Sequence, residues 1–467
     1  MKRPFLNLLS LLSGDLGSRL IGFVISVYLA RVLEPTGFGL MSVGLSVLGY
    51  LQLAGSPGIQ ILETRNAAAS AEIDHTRVGA VLSLRLVLAV VLWILTACCV
   101  FLFVPDGGTG YVILLFALSL FPFALTLDWF FQGREMFLAV GTSRLLQSVT
   151  YGVVVFLLVH NSDDIHRTAV AFVLSAFVAA AALWWAYAAQ WGGISLSWSP
   201  AKWKEILAMG IPVGGAVFLA QSVTNLPPLV IGYFSSTMEV GLFSSAMKLV
   251  FLLLMIDRLF NALFLPVITR CVSRRSEETS MLVGTTLRIM LAMIIPLTVA
   301  GIILSRIAMT TFFGGRYEEA SPLLEILMCY FALTAVNSVF VCILLASHRE
   351  KEYTRTLVQG SIVLCIAVAA GAAWLGARGA AYGVVLGEMV TMGLMMKTSR
   401  KLLSVPLIRI VVRPLVAGGC MAAAAYVLRE TGLVSVIAVS LLVFFIVQIL
   451  VKGITTREIQ FLRERFV

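Results

Sequence analysis

Apolar stretches long enough to cross a membrane alternate with short polar segments along the whole chain. At about 20 apolar residues per crossing, this pattern predicts about fourteen transmembrane helices. The first six are predicted near residues 6–30, 38–62, 79–104, 111–131, 142–160 and 168–189. Six more are predicted near 207–232, 241–268, 280–304, 321–346, 356–375 and 379–396, and the last two near 408–427 and 433–451. The chain is therefore predicted to be an all-α integral membrane protein.

The spacing of these helices also predicts how the chain is organised. A more polar segment separates the first six helices from the next six, and a basic segment precedes the last two. The predicted parts are an N-terminal six-helix bundle (1–189), a cytoplasmic connector (190–206), a C-terminal six-helix bundle (207–396), and two extra helices with a cytoplasmic tail (397–467).

The two six-helix groups show weak internal similarity. Residues 29–52 align without gaps on residues 231–254, which places Gly39 on Gly241. A second overlay places Arg134-Glu135, after helix 4, on Arg349-Glu350, after helix 10. Duplication of one six-helix unit in the same orientation predicts both overlays.

Lys and Arg concentrate at the N-terminus, in the loops after even-numbered helices and in the C-terminal segment. Because the basic side of a membrane protein faces the cytoplasm, both termini are predicted to be cytoplasmic. The loops at 105–110, 161–167 and 306–319 then face outward. Asp15 and Arg19 interrupt the first apolar stretch, which favours a transmembrane helix over a cleaved signal peptide.

Composition excludes several classes of protein. Hydrophobic residues make up 60% of the chain and charged residues 12%, against roughly 25% charged in a soluble domain. The formal net charge of +10 is not gathered in a polar patch of the kind that binds nucleic acid. The cysteines and histidines lack metal-ligand spacing. We therefore predict no metal, no cofactor and no nucleic-acid partner.

Several short motifs in order resemble one family. They are SRLIGF at 18–23 with LARVLEPTGFG at 29–39, DWFFQG at 128–133, EVGLFS at 239–244, FGGRY at 313–317 and GARGAAYG at 376–383. This set resembles the polysaccharide flippases of the Wzx type, in the multidrug/oligosaccharidyl-lipid/polysaccharide (MOP) exporter superfamily. One departure is Glu34, where relatives commonly carry Gly.

The resemblance implies two six-helix bundles around a central cavity that opens alternately to each side, lined by helices 1, 2, 7 and 8. The implied substrate is an undecaprenyl-diphosphate-linked oligosaccharide, the repeat unit of O-antigen, capsule or exopolysaccharide. Membrane lipids, a polysaccharide polymerase and chain-length machinery are the implied partners, and the flippase is expected to function as a monomer.

Moving a diphosphate and its sugars across about 30 Å of hydrocarbon requires a polar cavity with positive charge. Arginine suits the diphosphate, because its planar fork binds phosphate oxygens in a bidentate manner. Cations inside the predicted spans are therefore the candidate substrate-binding residues. They are Arg19, Arg258, Lys248, Arg85 and Arg288.

Each of these cations also has a structural interpretation. Arg19 lies four residues after Asp15, so the two side chains can pair and join helices without touching substrate. Lys248, Arg85 and Arg288 lie near the predicted ends of their helices, where a long side chain can reach the membrane surface. Arg258 lies mid-span beside Asp257.

Polar residues in the spans are candidates for cavity lining or ion coupling. They are Asp15, Asp257, Glu388, Gln221 and Asn225. A membrane carboxylate such as Glu388 serves either as a proton relay or as a hydrogen-bond partner of a neighbouring helix. Asp128, near the end of helix 4, is interpreted as an interfacial anchor.

Helix 7 contains Pro212, Pro227 and Pro228. Because proline removes a backbone hydrogen bond and clashes with the preceding turn, this helix is predicted to be bent or broken. These prolines are candidate hinge residues of a gate, although prolines also kink purely structural helices.

Two alternative functions remain open from the sequence. A flippase for the peptidoglycan lipid precursor shares the fold and the need for internal cations. A cation-coupled multidrug exporter of the same superfamily is less favoured, because the charges inside the spans are mainly basic. A membrane glycosyltransferase or polymerase is disfavoured, because the outer loops are short.

Overall fold

The computed structural model describes residues 2–70, 72–104, 107–273, 278–400, 407–428 and 433–451. These ranges contain α-helices, two short 3-10 helices at Ser162–Asp164 and Gly315–Ala320, and no strand. The helices are α1 (Lys2–Gly55), α2 (Ile59–Ala69), α3 (His75–Phe103), α4 (Gly107–Ala117), α5 (Leu120–Ala124), α6 (Asp128–Gly133), α7 (Phe137–Leu158), α8 (Ile165–Trp191), α9 (Pro200–Ala220), α10 (Ser222–Phe234), α11 (Thr237–Ser273), α12 (Glu278–Ile303), α13 (Ser305–Phe313), α14 (Ser321–Ala346), α15 (Glu350–Ser399), α16 (Leu407–Val427) and α17 (Leu433–Leu450).

Within the described ranges, 11 helical segments are long and apolar enough to cross a membrane. Two of them, in α1 and α15, are interrupted, so each supplies two spans. A shorter apolar segment in α17, Ala438–Leu450, supplies one more. The prediction of an all-α membrane protein with about fourteen spans is confirmed.

Each of the two interruptions contains a residue with positive φ. In α1 the interruption is at Glu34, with φ 59° and ψ 174°, directly before Pro35. In α15 it is at Leu375 and Gly376, and Gly376 has φ 57°. Glycine adopts positive φ without steric cost, whereas glutamate does not. Residue 34, where the resemblance leads us to expect Gly, therefore has a backbone conformation that favours Gly.

Three predicted boundaries are wrong. Helix 4, predicted at 111–131, is divided into α4, α5 and α6, and Pro122 in α5 cannot donate the backbone hydrogen bond that a continuous helix needs. Helix 2, predicted to reach residue 62, ends at Gly55, and α2 begins after Gly58, whose φ is 65°. The predicted 306–319 loop is mostly helical, in α13 and the following 3-10 helix.

The predicted connector is also shorter than expected. Only residues 192–199 are non-helical there, because Pro200 stands in the first turn of α9 and Ser199 caps it through the backbone N–H of Lys202. Proline fits a first turn, where its missing N–H leaves no bond unmade. Helix 7 therefore begins at Pro200 rather than near residue 207.

The chain divides into two compact units, Met1–Ser244 (unit 1) and Ser245–Val467 (unit 2). The boundary falls inside α11, whereas the sequence placed its division at 190–206. That division into bundles remains a prediction. Each unit is described by itself below.

Unit 1 contains one very close helix contact between positions that the sequence overlay had aligned. A Cβ atom on Gly39 would collide with the backbone carbonyl of Thr237, and one on Gly241 would collide with that of Pro35. Only glycine allows two helices to approach this closely. The second half of α1 thus packs backbone to backbone on the start of α11.

The loops after helix 4 and helix 10 have the same backbone hydrogen-bond pattern. Met136 N–H donates to Phe131 O and Glu135 N–H to Gln132 O. The corresponding bonds after helix 10 run from Arg349 to Leu344 and from His348 to Leu345. Both are Schellman motifs, with positive φ at Glu135 and at His348. The structural equivalence therefore pairs Glu135 with His348, two residues away from the sequence overlay.

Candidate functional site

Unit 1 contains an open cavity of about 1000 Å³. Its walls come from α1, α3, α7, from the broken helix 4 and from the interruption between α9 and α10. Three arginines line it, Arg19, Arg85 and Arg144, together with one carboxylate, Asp128, among the described lining residues. Positive charge therefore exceeds negative charge at this surface.

Arg85 lies on α3 and is 7% exposed. Its Nη1 donates to the carbonyl of Thr126 at 2.9 Å and its Nη2 to that of Phe123 at 2.5 Å. Both carbonyls belong to the segment where helix 4 is broken. The Arg85 side chain therefore does not extend to the membrane surface; instead, the helix break fixes its charge at the cavity wall.

Asp128 stands at the start of α6, where Trp129, Phe130 and Phe131 are buried. The Phe130 ring packs against Tyr187 at 5.1 Å between centroids, and also against Trp191. These aromatic contacts fix the short helix, as burial of large rings does in any core. They explain why DWFFQG forms a rigid support for the Asp128 carboxylate.

Arg144 faces Asp128 from α7, with 3.5 Å between Nη2 and Oδ2. Ser143, Gln147 and Ser148 lie on the same face of α7 and also line the cavity. The sequence interpretation did not select Arg144, because it lies in the first turn of the predicted fifth helix, where basic side chains commonly reach the membrane surface. Its spacing to Gln147 and Ser148, which places the three polar side chains on one helix face, is the sequence signal that could have identified Arg144.

Arg19 lines the cavity from the first half of α1, next to Ser18, and its side chain is exposed. The side chain of Asp15 lies outside the described residues. The choice between an Asp15–Arg19 structural pair and a substrate-binding Arg19 therefore stays a prediction.

Amide side chains supply much of the remaining polar surface of the cavity. They are Gln52, Gln60, Gln132, Gln147, Gln221 and Asn225. No side-chain hydrogen bond joins these six amides to other described residues. Asn225 lies against Gly49, where a Cβ atom would come within 2.6 Å of its Nδ2. Free amide donors and acceptors suit the hydroxyl groups of sugars.

The predicted break in helix 7 lies at Gln221, between α9 and α10. Pro227 and Pro228 are buried in α10 and Pro212 is exposed in α9. Gln221 lines the cavity at the interruption itself. The helix break is observed, whereas a hinge role for the three prolines stays a prediction.

The start of helix 7 is attached to α2 and α3 by ion pairs at one end of unit 1. Arg77 Nη2 lies 2.9 Å from Oε1 of Glu63, which is 1% exposed, and its Nη1 lies 3.3 Å from Glu205 of α9. Lys202 Nζ lies 3.8 Å from Asp74. The hydrogen bond from the Thr76 hydroxyl lowers the pKa of Asp74.

Unit 2 contains a different polar cluster, built around two buried carboxylates. Ser338 Oγ donates to Oδ1 of Asp257 at 2.5 Å. Asn337 Nδ2 donates to Oε1 of Glu388 at 2.9 Å. Asn261 joins the cluster by donating to the backbone carbonyl of Asp257. The structure thus gives Glu388 the hydrogen-bond partner that the sequence left open.

The other predicted cations also lie in unit 2. Lys248 is half-buried in the span Thr237–Asn261, and Arg288 is half-buried in α12. Arg258 is exposed, and its charge acts on the neighbouring Asp257. Whether Lys248, Arg258 and Arg288 contact substrate stays a prediction.

The fold is similar to solved structures of membrane transporters. A structure of the lipid II flippase MurJ in an inward closed conformation matches with a TM-score of 0.76 at 13% identity, over 96% of this chain and 98% of that chain. An inward-facing multidrug resistance MATE family transporter of the MOP superfamily matches with a TM-score of 0.66 at 15% identity, over 82% and 94%. At these identities the likeness concerns the fold alone. No curated protein matches the sequence.

The broken helices and the about fourteen spans, together with these likenesses, give the chain the fold of the lipid II flippase and of MOP superfamily transporters. The model of the family described as polysaccharide biosynthesis protein matches residues 6–272. The chain therefore belongs to the polysaccharide biosynthesis protein family. It is a flippase or transporter rather than an enzyme.

Proposed function

We propose that the protein flips undecaprenyl-diphosphate-linked oligosaccharide, the repeat unit of O-antigen, capsule or exopolysaccharide, across the bacterial inner membrane by alternating access. The observation that carries this proposal is the unit 1 cavity, where three arginines and one aspartate meet. An excess of guanidinium groups favours an anionic ligand, and their planar geometry fits phosphate oxygens.

The uncharged part of the cavity supports a glycan as the second element of the substrate. Gln52, Gln147, Gln221 and Asn225 present amides to it. Amides offer both a donor and an acceptor, which matches a sugar hydroxyl that does the same. A volume of about 1000 Å³ lies at the upper end of small-molecule sites, so it admits a diphosphate with several sugars.

A flippase for the peptidoglycan lipid precursor is the second candidate. The fold likeness to the lipid II flippase favours it, because that structure covers nearly the whole chain. The family match favours the polysaccharide substrate over it. A cation-coupled multidrug exporter fits less well, because cationic drugs would be repelled by Arg19, Arg85 and Arg144.

The carboxylates of unit 2 are proposed to couple transport to an ion or proton. Asp257 and Glu388 are both buried, 8% and 7% exposed, and membrane carboxylates of this kind commonly carry protons or bind cations. Lys248, Arg258 and Arg288 are proposed as further cations on the substrate path, and Pro212, Pro227 and Pro228 as hinge residues.

The proposed setting follows from the loops and the family. Both termini are proposed to face the cytoplasm, and the protein is proposed to function as a monomer. A polysaccharide polymerase and chain-length machinery are its proposed partners, because a flipped repeat unit must be consumed on the outer side.

The test expresses variants in a strain that lacks this gene and measures how much surface glycan each variant restores. Arg19→Ala should reach normal membrane abundance and restore little glycan, because the cavity loses one of its three cations. Arg19→Lys should retain part of the activity, since charge remains while bidentate contact is lost. Arg306→Ala is the matched control, because the Arg306 side chain is 72% exposed and lies outside the cavity. Full export by Arg19→Ala at normal abundance would exclude Arg19 from the substrate site.

A further inference from the structure

Asp128 occupies an unusual place for a carboxylate in a cavity that favours anions. It is the only acidic side chain among the described lining residues, and its side chain is 21% exposed. It lies on the rigid aromatic support of α6 rather than on a flexible loop. A negative charge fixed at this wall lowers the affinity for an anionic ligand. Its presence in this cavity therefore needs an explanation.

Two guanidinium groups act on this carboxylate. Arg144 pairs with it across 3.5 Å, and Arg85 interacts with it electrostatically. Arg85 is held by two carbonyls and is 7% exposed, and its Nε has no hydrogen-bond partner among the described residues. The charge of Arg85 is therefore compensated by dipoles and by Asp128 at a distance.

The ion pair between Asp128 and Arg144 is long. Charge-assisted N–H···O bonds between ions are commonly 2.7–2.9 Å, whereas this one spans 3.5 Å. The side chain of Arg144 is 36% exposed toward the cavity. A phosphate group can therefore reach Arg144 and offer it a shorter, bidentate contact.

We propose that Asp128 is an internal counter-ion: it balances Arg85 and Arg144 while the cavity is empty, and the anionic group of the substrate displaces it from Arg144. The proposal rests on the proposed function, because it assumes an anionic substrate in this cavity. Asp128 thereby reduces the excess of positive charge in the empty cavity and weakens substrate binding enough to permit release.

The proposal predicts a gain of binding when the charge of Asp128 is removed. Asp128→Asn keeps the shape of the side chain and should bind inorganic pyrophosphate about tenfold more tightly, because a competing charge–charge contact worth about 1.4 kcal/mol or more disappears. Glycan export should nevertheless fall, because release becomes slow.

The experiment measures pyrophosphate binding by titration calorimetry on the purified full chain in lipid nanodiscs at low salt. Asp128→Glu should bind as the wild type does, because the charge is retained. Asp163→Asn is the matched control, an exposed aspartate outside the cavity, and should also leave the affinity unchanged. Arg144→Gln should weaken binding, because it removes the cation that exchanges partners.

The outcomes separate this inference from the proposed function. If the wild type binds pyrophosphate and Asp128→Asn binds it equally well or more weakly, the counter-ion role alone is overturned. No binding by the wild type would overturn the anionic substrate, and the counter-ion role with it. Asp128→Ser provides a second neutral replacement with the same expected tightening. Failure of both neutral variants to fold would show that Asp128 is structural and would equally overturn the inference.

Discussion

The main polar sites of the two units contain buried charges of opposite sign. Unit 1 buries a cation, Arg85, and compensates it with backbone carbonyls released by a broken helix. Unit 2 buries carboxylates, Asp257 and Glu388, and gives them neutral donors from a serine and an asparagine. The contrast between these two sites is one of sign, since Arg85, Asp257 and Glu388 all have uncharged hydrogen-bond partners.

This difference in sign indicates which kind of ligand each unit is suited to bind. A guanidinium held by carbonyls keeps its positive charge and attracts an anion at the cavity. A carboxylate held by a hydroxyl or an amide keeps lone pairs that a proton or a cation can use. We propose that unit 1 binds the diphosphate of the substrate and that unit 2 handles the coupling ion.

The largest effect is expected from removing the buried cation of unit 1. Arg85→Met should abolish glycan export, because the cavity loses its fixed charge. It should also destabilise the fold by about 1–3 kcal/mol, since the carbonyl of Thr126 loses its donor. Export and thermal unfolding in detergent are the two measurements, with Arg306→Met, at an exposed position of α13, as the control. Normal export by Arg85→Met would show that transport does not need the buried cation of unit 1.

A smaller and more selective effect is expected in unit 2. Glu388→Gln can still accept the hydrogen bond from Asn337, so the fold should lose less than about 1 kcal/mol. Pyrophosphate affinity should stay within about twofold of the wild type, whereas export should fall about tenfold, by about 1.4 kcal/mol in the limiting step. Glu388→Asp, which keeps the acid, should export better than Glu388→Gln. A loss of pyrophosphate binding by Glu388→Gln would show that anion binding is not confined to unit 1.

The smallest effect concerns the two kinked helices. Glu34 in unit 1 has φ 59°, whereas the kink in unit 2 has glycine at φ 57°. Glu34→Gly should stabilise the fold by about 1 kcal/mol, because strain at such a position costs about 1–3 kcal/mol. Gly376→Ala should destabilise it by a similar amount. Thermal unfolding of the two variants measures both shifts, and a lower unfolding temperature for Glu34→Gly would contradict the strain at residue 34.

Hydropathy was sufficient to predict the helical class and the approximate number of spans, because a membrane crossing needs a fixed length of apolar chain. It also led to Arg19, Arg85, Gln221 and Asn225, which line the cavity. These residues are visible in sequence because charge and amide groups are rare inside apolar spans.

Sequence reasoning failed where a contact depends on an irregular backbone. The break in helix 4 supplies the carbonyls that hold Arg85, and its only local signal is Pro122 in an otherwise apolar stretch. Sequence position alone gives no reason to select Arg144, because a basic residue near a helix end usually has no special role. The sequence predicts only an anchor at Asp128, since the partner Arg144 is distant from the motif that contains Asp128.

Flipping of a lipid-linked oligosaccharide by the purified protein in sealed vesicles tests the central claim most directly. The substrate is a fluorescent undecaprenyl-diphosphate oligosaccharide placed in both leaflets, and a membrane-impermeant glycosidase reports how much reaches the outer surface. The account predicts that wild-type vesicles expose nearly all of the substrate to the enzyme, whereas empty vesicles and vesicles with Arg85→Met expose only the outer half. Equal exposure in wild-type and empty vesicles, or full exposure with Arg85→Met, would contradict it.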